Sequence, residues 1–209
     1  MLADDFFRLA HDDTTGRPRL HLQGIGLGLA SALLGELLVG GRIGLDRGTV
    51  VVQNRQPPPD VVTHAVLDHI RGEPSPLSVR TWLAFVAQDA YWQVAGRLAR
   101  AGHVRQVVSG MVWNRTITWL PVDVLTSSRP TVRLSYALGR GHSIDQHHAF
   151  LAGLAVAVGL DEYLIRDAED RDYARDYLRL LVDSAWEPGR ELVAQTQAAV
   201  GNALVTHRA

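Results

Sequence analysis

Residues 33–53, LLGELLVGGRIGLDRGTVVVQ, decide the fold. With Leu29 and Ala30 just upstream, Leu33, Leu37 and Leu34, Leu38 recur at a spacing of four, which is one face of a helix. Gly40-Gly41 then ends it, because glycine accepts the left-handed backbone that closes a helix. Two short strands, Arg42–Leu45 and Thr49–Gln53, flank Asp46-Arg47-Gly48, and Gly48 suits a positive-φ turn position. A helix running straight into a tight hairpin is therefore expected. The stretch holds no nucleophile, metal cluster or phosphate loop.

Upstream, the helix extends from Leu22 to Gly40, and a shorter helix, Leu2–Ala10, closes in the polar turn HDDTTGRPR. GIGLG at 24–28 lacks the preceding strand, the third glycine spacing and the Lys-Ser/Thr pair of a phosphate loop. Its glycines instead suit close helix packing. Downstream, QPPPD leads to a helix capped near Asp60 with Val62, Val66 and Ile70 inward, and a long amphipathic helix covers about Leu77–Ala101 before Gly102. A second hairpin, VRQVVSGMVWNRTITWLPVD, follows. Further helices are expected at about Pro130–Leu138, at 144–158 with Ser143 as cap, at about 168–184 and at 189–205. The expected fold class is mainly α: one domain, residues 1–209, as a helical bundle with surrounding amphipathic helices and two short β-hairpins.

Composition narrows the function. Apolar residues make up 46% and charged residues 21%, a globular balance, and the net charge is −1. No global basic field draws the chain to nucleic acid or lipid, so any such contact must come from a local patch. The absence of cysteine excludes disulfides, thiolate metal sites and cysteine nucleophiles. All 21 basic residues are arginine, a bias expected of a GC-rich genome. The opening MLADDFFRLAHDD places acids ahead of a short apolar run, unlike a secretory leader. The apolar run 149–160 is too short to span a bilayer. A cytoplasmic protein, on a membrane surface at most, is expected.

The order of these pieces resembles the Golgi phosphoprotein 3 family. The likeness is carried by MLADDFFRLAHDDTTGR, by LLGELLVGGRIGL with its E-L-x-x-x-G-R-[IL] pattern, and by RLARAGHV, IDQHHAFLAGLAVAVGLDEYL and RDYARDYLRLLVDSAW. The chain is similar to the shorter bacterial members. The resemblance implies an all-α domain on a central bundle and peripheral binding to phosphatidylinositol 4-phosphate in an adaptor that holds glycosyltransferases in Golgi membranes. No catalysis is expected, because no nucleophile–base–orienter set can be assembled from the spacings. The family's headgroup pocket uses a Trp, an Arg and two further basic residues. Those positions fall on His21, Ala30, Gln88 and Tyr91 here, all substituted, and phosphate recognition needs several converging charge-assisted donors.

The second hairpin offers another contact. Arg105, Val108, Met111, Trp113 and Arg115 place apolar residues and an amphipathic Trp between arginines, the composition that sits at headgroup level. The family's matching hairpin is associated with membrane contact and self-association. The alternation of Val107, Met111 and Trp113 equally fits a strand pair packed on the helical core, or pairing with another protein. The expected partners are anionic or phosphoinositide headgroups, with protein partners or self-association through residues 104–119 also open. No cofactor is implied.

Three further stretches bear on other chemistries. His142, Asp145, His147 and His148 carry metal-ligating groups, yet His142 and His147 are five apart where one helix face wants three or four. The acidic run 167–176 reads as a solvated helix face. A helix followed by an Arg-flanked hairpin also suits a winged-helix DNA reader, against which stand the near-neutral charge and the lack of an arginine-clustered recognition helix.

Overall fold

The computed structural model describes residues 1–110, 115–166 and 168–206, with side chains described as far as Ala203. The predicted helix and hairpin at 33–53 are present. Helix α2 (Leu22–Val39) ends at Gly40, and β1 (Ile43–Asp46) pairs antiparallel with β2 (Thr49–Val52). The two turn residues, Arg47 and Gly48, take φ of 48° and 79°, the left-handed pair that matches the twist of a two-residue hairpin.

Helix α2 is apolar on every side, and twelve of its residues are buried. Such a helix is long and apolar enough to cross a bilayer by composition, but here it is the axis of the core. Around it pack α1 (Leu2–Leu9), α3 (Val61–Gly72), α4 (Val79–Arg100), α6 (Gln146–Val158) and α9 (Glu187–Thr206). The expected glycine role holds at two of three positions. A Cβ on Gly28 would overlap the buried ring of Phe6, and one on Gly26 would meet the Ala87 carbonyl oxygen at 2.8 Å. Gly24 meets nothing.

Helix α4 starts at Val79, where Ser78 accepts the Thr81 N–H, and Gly102 past its end takes φ 73°. Strand β3 (Val104–Ser109) pairs antiparallel with β4 (Thr116–Pro121). The rest differs in its boundaries. Helix α5 runs over Val124–Arg140, starting well before the Pro130 that the sequence suggests. Asp123 caps it by accepting from Leu125 N and Thr126 N, and Pro130 sits inside it. Helix α6 is capped by Asp145, which accepts the His148 N–H at 2.9 Å, rather than by Ser143. A short helix, α7 (Asp161–Ile165), precedes α8 (Arg171–Asp183), which Asp170 caps.

Candidate functional site

The second hairpin is built on a single line of alternation. Its register sets Val104 against Pro121, Gln106 against Trp119 and Val108 against Ile117 on one face. Near the base this face belongs to the core: Val104 and Trp119 are 6% and 7% exposed. Two residues further out the cover ends. Val108 is 54% and Ile117 36% exposed, and on the β3 side the exposed Gln106 separates Val108 from Val104. Arg105, on the opposite face of β3, and Arg115 are also exposed, and Val122 and Leu125 stand uncovered where β4 gives way to α5. Met111 and Trp113, the expected tip of this contact, lie outside the described residues.

The base of the hairpin is clamped. The turn after α1 is tied by Asp12, whose Oδ1 accepts from Thr14 N, Thr15 N and the Thr15 hydroxyl. Gly16 in that turn has φ 65°, and a Cβ there would overlap the backbone carbonyl of Trp119. Arg19 holds the turn from behind, pairing with Asp12 and Asp13 and lying 3.9 Å from the centroid of the Tyr163 ring.

The helix–hairpin junction at 33–53 carries a second feature. Glu36 of α2, Asp4 of α1 and Asp60, the cap of α3, all face Arg97 of α4. The guanidinium bonds Asp4 at 2.6 and 3.0 Å and Asp60 at 2.7 Å, and lies 3.9 Å from Glu36. Burial foremost pushes the Glu36 carboxyl above its ordinary range, against the Ala3 N–H and Arg97 that favour its charge. Beside this cluster opens a crevice of about 690 Å³ walled by Leu2, Leu37, Val39, Pro59 and Trp186, with Arg42 on its rim. The Arg42 backbone carbonyl accepts both Gln53 N and Asn54 N, closing the hairpin. Of the carboxylates that line it, Glu36 and Asp60 face Arg97, and Asp60 also accepts the Thr63 hydroxyl at 3.2 Å.

A family model for Golgi phosphoprotein 3 (GPP34) matches residues 2–200. The chain belongs to the Golgi phosphoprotein 3 family. No curated protein matches it.

The four positions that the sequence resemblance assigns to headgroup contact are set as follows. His21 is the exposed cap of α2, its ring accepting from Gln23 N. Ala30 is wholly buried in α2. Gln88 is exposed on α4 and lines a hollow of about 310 Å³ with Gln23, Leu27 and Arg80. Tyr91, one turn further, is 6% exposed and points inward, where its hydroxyl lies 3.3 Å from His11 Nε2. His11 in turn donates from Nδ1 to the Phe7 carbonyl at 2.7 Å, and its ring stacks on Phe7 at 4.0 Å. Burial holds the His11 pKa down at about 4 and pushes the Tyr91 hydroxyl up to about 12, so both are neutral at physiological pH. A neutral aromatic pair thus occupies the interior at the Tyr91 position, and Gln88 alone of the two α4 positions faces outward.

The histidine run is divided among local partners. His147 reaches Asp5 at 2.9 Å and His148 meets Asp145 at 2.5 Å, while the His142 ring stacks on Tyr136. Among the described residues no three metal-ligating side chains converge.

Ile117, Val122 and Leu125 are not singled out by the sequence. Ile117 is legible there as the cross-strand partner of Val108. Leu125 is not, because the sequence suggests a helix start at Pro130.

Proposed function

We propose that this protein is a non-catalytic adaptor of the Golgi phosphoprotein 3 family that associates peripherally with an anionic membrane through its second hairpin. One observation carries the reading: the hairpin face that is buried at Val104 and Trp119 presents exposed Val108 and Ile117 further out, on a strand pair that also carries exposed Arg105 and Arg115. Apolar side chains left uncovered on a projecting strand pair favour entry into the headgroup layer, and neighbouring guanidinium groups attract its anions. The expected location is the cytoplasmic face of a membrane.

The proposed contact does not run through a phosphoinositide pocket. His21, Ala30, Gln88 and Tyr91 bring no arginine to the family positions, and Tyr91 is committed to His11.

Vesicle co-sedimentation tests it. Vesicles containing phosphatidylglycerol should pellet the protein, neutral vesicles should not, and added salt should weaken the binding. The double variant Val108→Asp, Ile117→Asp should lose it. Selective pelleting by phosphatidylinositol 4-phosphate that survives this variant would return the function to the α2–α4 positions. A shift of duplex DNA without vesicle binding would favour the nucleic-acid reading instead.

A further inference from the structure

Trp92 stands on the solvent face of α4 with 47% of its surface exposed, whereas Trp82 and Trp119 are buried. Its ring meets Tyr91 edge-on at 5.0 Å and Trp119 at 6.5 Å between centroids. Trp119 lies on the same hairpin face as Ile117 and Val108. Trp92 therefore adjoins the hairpin face through the buried Trp119, and that face presents exposed Val108 and Ile117 further out.

The same elements carry an excess of cations. Arg100 is exposed two turns past Trp92, Arg105 and Arg115 are exposed on the hairpin, and Arg129 is exposed on α5. These four outnumber Asp89 and Asp123, the exposed acids of α4, the hairpin and α5 among the described residues, although the whole chain carries −1. An indole joins a broad apolar body to one N–H donor, which is why tryptophan settles at headgroup depth rather than in acyl chains or bulk water. A protein surface would offer Trp92 an equally good apolar contact but no reason for the excess of arginine on these elements. An anionic bilayer meets both.

We propose that Trp92 is a second membrane anchor, which enters the headgroup layer of an anionic bilayer beside the hairpin. The inference rests on the hairpin reading above. Two anchors on different elements fix how the bundle lies on the surface, where a hairpin alone would leave it free to pivot. The second contact also gains from the first, since it forms within a molecule already bound.

The chain has no cysteine, so a single one can carry an environment-sensitive dye. Trp92→Cys labelled in this way is compared with Leu180→Cys, a 63% exposed position on α8. The probe is a vesicle of equal parts phosphatidylglycerol and phosphatidylcholine. Emission from position 92 should shift to the blue on vesicle addition and that from position 180 should not. In co-sedimentation, Trp92→Ala should partition about tenfold more weakly than the parent and Trp92→Phe in between, with the thermal midpoint of Trp92→Phe unchanged. If Trp92→Ala partitions like the parent, or the dye at 92 stays in water while the protein pellets, the anchor is overturned and the hairpin reading stands. Unchanged vesicle binding with altered self-association of free Trp92→Ala overturns it too, and assigns the residue to contact between copies. A parent protein that pellets with no vesicle overturns the hairpin reading and the anchor together.

Discussion

His11 is 3% exposed and is held between the Phe7 carbonyl and the Tyr91 hydroxyl. Its folded pKa of about 4 lies below the ordinary 6.5, so the folded state resists its protonation. The stability it contributes is complete above pH 6.5 and is lost as pH falls toward 4, amounting to up to about 3 kcal/mol. Chemical denaturation across that range should show the loss, and His11→Gln should flatten it. Glycines give a paired test. Gly96 is inside α4, where an added Cβ would meet nothing within 4 Å, so Gly96→Ala should stabilise by about 0.5–1 kcal/mol through helix propensity. Gly28→Ala would gain the same propensity but overlap Phe6, which is fully buried and cannot withdraw. Overpacking costs about 1–3 kcal/mol, so the net change in thermal midpoint should be downward.

Among the elements, those with strong periodicity or an obligatory glycine are legible in the sequence. The helix–hairpin at 33–53 and the close packing at Gly26 and Gly28 fall in this class. Helix α5 is not, because Pro130 invites a start that Asp123 has already supplied further upstream. Removing that cap isolates the effect: Asp123→Ala should speed amide exchange at Leu125 and Thr126, whose N–H groups it accepts, while leaving α6 protected. The candidate site is half legible. Val108, Arg105 and Arg115 can be read from alternation, but exposure on a strand pair depends on where the helices stop covering it. Local sequence does not encode that limit. For the same reason Tyr91 reads as a headgroup position in the sequence, while its inward turn depends on His11, far away along the chain.

At the scale of the molecule, Arg97 joins α1, α2, α3 and α4 through one side chain that is 11% exposed. Three carboxylates share it, so its removal would leave Asp4, Glu36 and Asp60 facing one another with little water. Arg97→Met should cost roughly 3–5 kcal/mol near neutral pH. The sign with pH is fixed: burial already pushes the Glu36 carboxyl up, and removing the cation that opposes this would push it further, so part of the loss should return as pH falls. Denaturation midpoints at two pH values would check it, and a loss that does not depend on pH would count against the shared charge.

The clamp at Gly16 reaches further than its own turn. The carbonyl of Trp119 occupies the space where any other residue at position 16 would place its first side-chain atom. The pitch of the hairpin against the bundle is thus geared to a loop far earlier in the chain. A larger residue at 16 would act like a shim under a mast, tilting Val108 and Ile117 without changing one atom of the surface they present.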